Sequence, residues 1–266
     1  MNFHLDSTPA RFNHQVVTIV VPCFNEESGL LHLQRNLSAV RACLEQYKVR
    51  YILVDDGSSD DTWRSMNELF GNQEDVTTIR HVTNLGIGAA ILTGIREART
   101  EIVCSIDSDC SYDPRQLADA IPMLVPGVDL VTASPYHPLG QVINVDGWRL
   151  FLSKTASRLY RHVLKQKLHT YTSCFRVYRR SVILDVVLKR QGFLAVAELI
   201  GKLDLRGSIV LESPAILTAR VHGTSKMRIA QVLFGHVQLL CALLVERVWQ
   251  AMSLRLASSN LIKDRS

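Results

Sequence analysis

Several features that would assign a chain quickly are missing from this sequence of 266 residues. Its six cysteines (Cys23, Cys43, Cys104, Cys110, Cys174 and Cys241) form no C-x-x-C pair and have no histidine-rich partner spacing. Neither a zinc site nor a disulfide framework is therefore expected, and most of the cysteines read as buried apolar residues in a reducing compartment. No run of like charges occurs. The net charge of +5 and pI near 8.9 are too diffuse to indicate nucleic acid, but they suit an anionic substrate or a membrane surface. The opening stretch "MNFHLDSTPARFNHQ" lacks the apolar core of a signal peptide, so a cytoplasmic location is expected. There is no G-x-x-x-x-G-K-[ST], which excludes the phosphate-binding loop of ATPases. "GIGAAI" at Gly86–Ile91 is misplaced for a dinucleotide fingerprint, because it follows Asp55 and Asp56 instead of preceding its acid by about 20 residues.

What is present is an alternation of two periodicities. "VVTIVVP" (Val16–Pro22) is an unbroken apolar, β-branched run. It is followed by leucines at helical spacing in "EESGLLHLQRNLSAVRACLEQY" and then by the second run "RYILVDD". The pattern continues through a helix near Asp61–Phe70, the strand "VTTIRHV", a helix from about Gly88, the strand "EIVCSID", a helix after Pro114 and the strand "VDLVTAS". Strands that are hydrophobic without interruption are buried on both faces, so an α/β fold with a mostly parallel sheet covered by helices is predicted. A hydrophobic content of 47% suits one large domain.

The strand ends carry the chemistry. The first ends in "PCFNEE", the second in "DDGSSDDT", the third in "HVTNLGIG" and the fourth in "DSDCSYDP". Taken singly these have ordinary readings: Asp60 or Asp61 as a helix cap, Gly57 as a turn residue, Pro114 as a helix start. Taken together they put four polar loops at the carboxyl edge of one sheet, where α/β proteins bind ligands. Asp107 and Asp109 flank Ser108, and in extended chain alternate side chains point the same way, so both carboxylates can reach one hard cation, Mg2+ or Mn2+. Such an ion suits a nucleotide diphosphate, whose departing charge it would stabilise.

The ordered segments "VVPCFNEE", "ILVDDGSSDDT", "NLGIGAAILTGI", "SIDSDCSYDP", "SCFRVYRRSV" and "RVHGTSKM" resemble glycosyltransferase family 2, in particular its polyprenol-phosphate (dolichol-phosphate) mannosyl- and glucosyltransferase branch. The resemblance runs from about Val17 to Met227. It implies a GT-A fold, inverting transfer of a hexose from a GDP- or UDP-sugar to a polyprenyl phosphate at the cytoplasmic face of a membrane, and a divalent cation on the Asp-x-Asp pair. Carried over by position, it puts Pro22, Phe24, Glu26, Val54, Asp56, Asp107 and Ser108 at the donor, and Asp107 and Asp109 at the metal. Asp109, Arg220 and Lys226 become the catalytic residues, the two cations near the donor and acceptor phosphates. Many members of this branch have a phosphate-holding Arg where this chain has Pro135, and Arg149, Arg176 and Arg179 are the candidates to compensate.

The acceptor decides the mechanism. A sugar hydroxyl needs a general base, whereas a phosphate monoester is already ionised near neutrality. No Glu-Asp pair precedes a helix in the second half, which favours a phosphate acceptor; Glu198 is the reserve base for a hydroxyl acceptor. A non-catalytic nucleotide-sugar-binding scaffold is the alternative outside enzymology, opposed by the intact Asp107 and Asp109. In "WRLFLSKTASRLYRHVLKQK" (Trp148–Lys167) the basic residues Lys154, Arg158, Arg161 and Lys165 share a helical face able to lie on anionic lipid. "IAQVLFGHVQLLCALLV" (Ile229–Val245) reads as a helix at the interface, against a membrane-anchoring partner protein or on the chain's own core, because Gln231, His236 and Gln238 oppose a span. The expected organisation is an N-terminal extension (1–15), a catalytic domain (16–225) and a C-terminal helix and tail (226–266), like the short, peripheral members of the branch.

Overall fold

The computed structural model describes residues 15–219 and 229–263. In chain order the elements are β1 (Gln15–Cys23), α1 (Leu30–Cys43), β2 (Tyr47–Asp55), α2 (Thr62–Phe70), β3 (Val76–Arg80), α3 (Ile87–Glu97), β4 (Ile102–Ser105), α4 (Leu117–Ala120), β5 (Leu130–Ser134), β6 (Gln141–Ile143), α5 (Gly147–Val163), β7 (Arg176–Arg179), α6 (Arg180–Ile183), α7 (Gly192–Arg206), β8 (Val210–Pro214), β9 (Ile216–Thr218) and α8 (Ile229–Lys263). Seven strands form one sheet in the order β3-β2-β1-β4-β7-β5-β8, parallel except for β7, which runs antiparallel to both neighbours. β6 and β9 pair as a separate parallel ribbon.

The uninterrupted apolar runs are buried on both faces, as expected. On β1, Val17, Ile19 and Val21 pack under α1 through Leu30, Leu33 and Leu37, while Val20 faces the opposite layer with Ala90, Ile91 and Ile95 of α3. α7 and the inner faces of α5 and α8 complete that second layer through Val196, Ile200, Tyr160, Leu239 and Leu243.

Two departures from the sequence reading have clear causes. The helix expected after Pro114 is broken into a 3-10 turn (Pro114–Gln116), the single turn α4 and a second 3-10 turn (Ile121–Met123). Pro122 lacks the N–H a continuous helix would need there, and its ring crowds the preceding turn. The antiparallel β7 lies inside "SCFRVYRR", a four-residue strand too short for a periodicity to declare. Its direction matters for the site. Arg176 pairs with Ser105 at the carboxyl edge of β4, so the segment before β7 arrives where the parallel strands end, while Arg179 pairs with Ile102 at the far edge.

Candidate active site

The turns at the carboxyl edge are fastened to one another through their backbones. Asn25, at φ 55, donates its N–H to Ser58 Oγ at 2.9 Å, and its Oδ1 accepts from the Ser59 N–H at 2.9 Å. The Glu26 N–H donates to Thr62 Oγ1 at 2.8 Å. These bonds weld the end of β1 to the turn after β2. Within that turn Gly57 stands at φ 71, and a Cβ there would lie 2.5 Å from the Thr83 carbonyl carbon, so only glycine lets the second and third loops touch. Asp60 caps locally, accepting from the Thr62 N–H at 3.0 Å, while Asp61 sits at the α2 N-cap without a side-chain cap bond.

Asp56 is buried and closes the third loop. Its Oδ1 accepts from the Leu85 N–H at 3.0 Å and faces His81 Nδ1 at 2.7 Å, and its Oδ2 accepts from the Gly86 N–H at 2.8 Å. Asp55 likewise accepts the Ser58 N–H (3.0 Å) and pairs with Arg80 (3.1 Å). Gly86, at φ 90, begins α3 against the start of α7; a Cβ there would stand 2.6 Å from the Gly192 nitrogen. Two helix N-termini thereby meet at the same crevice, an arrangement favourable to phosphate.

The fourth loop presents the carboxylate pair. After β4 the chain turns sharply: the Cys110 N–H donates to the Asp107 carbonyl at 3.2 Å, Cys110 sits at φ 52, and Asp109 Oδ1 accepts from the Ser111 N–H at 2.9 Å. Burial, then Asp109, Asp107 and further acids push the Cys110 thiol up to about 12. Burial and then Glu26 raise that of Cys23 as well. Both thiols are therefore held in the protonated form at neutral pH; their shifts record burial first and the neighbouring carboxylates second.

A crevice of about 370 Å³ opens between these loops, large enough for a small-molecule ligand. Pro22, Phe24, Glu26, Asp56, Asp107, Ser108 and Asp109 line it, all residues singled out by sequence. Phe24 is 44% exposed and offers a stacking face. Asn84, Gly86, Ile87, Gly192 and Phe193 complete the wall. The first three belong to the strand-end loop "HVTNLGIG" and the segment "NLGIGAAILTGI"; the other two, which no sequence motif marks, enter from a helix about a hundred residues further on. A second, polar pocket of about 150 Å³ shares Asp107 and Phe193 with the first; its other lining includes Ser111, Tyr112, Pro135, Tyr136, Ser153, Thr170, Thr172 and Ser173.

Four sequence assignments are corrected. The Val54 side chain is fully buried in the core layer beneath α3 and is not part of the crevice wall, because its parity on β2 turns it inward. Arg176 is 1% exposed and donates to the carbonyls of Val196 (2.9 Å) and Tyr171 (3.0 Å), tying α7 to the second pocket's wall; it has no route to a ligand phosphate. Arg179 lies at the opposite sheet edge, donating to the carbonyls of Val128 and Val125. Glu198 lines neither pocket. It is buried, accepts the N–H groups of Lys189 and Arg190 (2.9 and 2.7 Å) and pairs with Lys202 at 3.3 Å, so it holds the loop leading into Gly192 and Phe193. Arg149 lies in the first turn of α5, one turn before Ser153. Arg220 and Lys226 lie outside the described residues.

The residues present fit a small divalent cation of the Mg2+ or Mn2+ kind. Among the described residues no group of three or more His, Cys, Asp or Glu side chains forms a self-contained metal cage. Asp107 and Asp109, in one turn at the crevice, supply the one or two carboxylates such an ion takes when substrate phosphates and water fill the rest of its shell.

The mostly parallel sheet, with a carboxylate pair at its carboxyl edge and a nucleotide-sized crevice beside it, is the GT-A arrangement of sugar-nucleotide-dependent transferases. The chain superimposes on glucosyl-3-phosphoglycerate synthase from Mycobacterium tuberculosis, solved with Mn2+, UDP and glucosyl-3-phosphoglycerate, with TM-score 0.65 and 18% identity over 88% of this chain and 80% of that one. Residues 18–187 match the family described as Glycosyl transferase family 2, and the chain belongs to it. It is a glycosyltransferase of the polyprenol-phosphate branch. A polyprenol monophosphomannose synthase of Mycolicibacterium smegmatis is 32% identical over 80% of this chain and 81% of its own length. A dolichol-phosphate mannosyltransferase of Pyrococcus furiosus is 28% identical over 80% of this chain, which spans 59% of that longer relative. An undecaprenyl-phosphate 4-deoxy-4-formamido-L-arabinose transferase of Klebsiella pneumoniae is 26% identical over 83% of this chain, which spans 66% of it.

Proposed function

We propose that this chain transfers a hexosyl group from a nucleotide sugar to the phosphate of a polyprenyl phosphate, with inversion, at a membrane surface. The observation that carries this reading is the pair of adjoining pockets. The larger is bounded by Asp107, Asp109 and two helix N-termini, and the smaller is lined mainly by hydroxyl and aromatic groups, with Asp107, at the junction, its one lining carboxylate among the described residues. The first suits a nucleoside diphosphate. Among the described residues the second offers a hydroxyl acceptor no dedicated base, since Glu198 is committed to the backbone of Lys189 and Arg190. A phosphate monoester needs none, because one of its ionised oxygens attacks the anomeric carbon directly as the bond to the diphosphate breaks.

In this reading Phe24 packs on the base, the loop closed by Asp56 shapes the nucleoside end of the crevice, and Asp107 and Asp109 hold Mg2+ or Mn2+. The bound ion would supply Lewis-acid stabilisation of the departing diphosphate. Arg149, one turn before Ser153, together with Arg220 and Lys226, is assigned to the phosphates in place of the Arg replaced by Pro135.

The test is a transfer assay with purified protein, Mn2+ or Mg2+, labelled GDP- and UDP-sugars and a short, water-soluble polyprenyl phosphate. Label entering the lipid product from one donor is the expected result. Transfer to a saccharide hydroxyl but not to the phosphate would overturn the acceptor assignment.

A further inference from the structure

The C-terminal helix α8 is apolar on two opposite sides. One side is explained by packing: Leu239, Leu240 and Leu243 are buried with α5 and α7, and His236 Nδ1 meets Tyr160 Oη of α5 at 2.8 Å. The other side carries Phe234, Val237, Cys241, Val245, Val248 and Met252 at three- and four-residue spacings, with Trp249 beside them, all exposed and Trp249 at 71%. A helix apolar on both faces is ordinarily buried on both, and a contiguous exposed apolar stripe of this kind marks an interaction surface. Among the described residues no helix is long and apolar enough to cross a membrane, so the stripe is not explained by a span.

Charge identifies the occupant. α5 packs beside α8, joined by Tyr160 to His236 and by Arg247 to the Val163 carbonyl, and it turns Lys154, Arg158 and Arg161 outward together with Phe151. α5 and α8 together hold seven of the chain's 30 lysines and arginines but one of its 25 acidic residues, so the whole positive excess of the molecule resides in these two helices. An apolar stripe beside cations that outnumber acids seven to one fits a leaflet containing anionic lipid, with the aromatic and aliphatic side chains at the acyl boundary and the cations among the headgroups. A second copy of the chain would bring two such basic faces together.

We infer that the outward faces of α5 and α8 form one bilayer-docking surface, which seats the enzyme on anionic membrane and holds the smaller pocket at headgroup depth. The depth follows from α5 itself, which lines that pocket with Ser153 and presents Phe151 and Arg158 to the exterior. The inference on depth rests on the proposed lipid-phosphate acceptor; vesicle binding itself does not.

The experiment is co-sedimentation of the full chain with phosphatidylcholine vesicles, with and without phosphatidylglycerol, and no acceptor or donor. The wild type is expected to bind the anionic vesicles and to release as salt rises. Phe234→Ser/Trp249→Ser and, separately, Arg158→Glu/Arg161→Glu should each weaken binding about tenfold or more. Both should keep wild-type transfer to the short, water-soluble acceptor, which also shows that they fold. Unchanged vesicle binding in both variants overturns the surface. So does a wild type that ignores vesicles and sediments as a dimer which Phe234→Ser/Trp249→Ser makes monomeric. Vesicle binding without transfer to any polyprenyl phosphate would keep the surface and remove the acceptor reading.

Discussion

Asp107 and Asp109 stand one residue apart in a turn that the Ser111 N–H and the strained Cys110 backbone hold open toward the crevice. Asp109→Asn keeps the shape and removes the charge, so turnover should fall about 100-fold or more, as when one transition-state-stabilising group is lost; Mn2+ titration with nucleotide diphosphate present should show weakened metal binding. Glu198 makes the opposite prediction. Glu198→Ala leaves Lys202 and two N–H groups without their carboxylate and should cost about 3 kcal/mol of stability in denaturant titration. Glu198→Gln should retain activity with an unchanged pH profile, an outcome a catalytic base would forbid. The placement of the carboxylate pair at the crevice was legible in sequence because its signal is local: two acids in alternation after an apolar run. Val54, Arg176, Arg179 and Glu198 were not, because an inward parity, a carbonyl 20 residues away, a sheet edge or a pair of loop N–H groups decides their role, and none of these is written beside them.

Among the elements, β1, β2, β4 and β5 declared themselves through their apolar runs, β3 through its place in the alternation, and α1, α2 and α3 through their spacing, whereas the parallel β8 carried no expectation. α4 and β7 did not, since a proline divides one and four residues are too few for a period in the other. The contact of α8 with α5 was equally hidden, because it joins residues 76 positions apart. Its centre is His236, which desolvation lowers to about 4. A histidine depressed in the folded state and ordinary in the unfolded state binds its proton in the unfolded chain first. Stability is therefore lost as pH falls from about 6.5 toward about 4, by up to about 1.4 kcal/mol per pH unit. Melting curves should show a steeper drop in Tm over this interval for the wild type than for His236→Phe. At the other end of the second layer, Gly86→Ala places a Cβ 2.6 Å from the Gly192 nitrogen at a φ of 90, so it should lower kcat/KM by moving the two helix N-termini apart.

At the scale of the molecule, the larger crevice is walled almost entirely by residues 22–109, with Gly192 and Phe193 alone arriving from later in the chain. The smaller pocket draws mainly on residues 135–174. That division follows from the direction of β7. The chain leaves the sheet at the end of β5 and, because β7 runs backwards, re-enters at the same edge without crossing underneath. The stretch between them is thus a detachable cassette: its length and content can change while both ends stay anchored to neighbouring strands. On the proposed reading, a lineage can retain one way of gripping nucleotide and trade what receives the sugar by rewriting a single continuous stretch of about forty codons. Pro135, which lines the smaller pocket, is the first residue of that stretch.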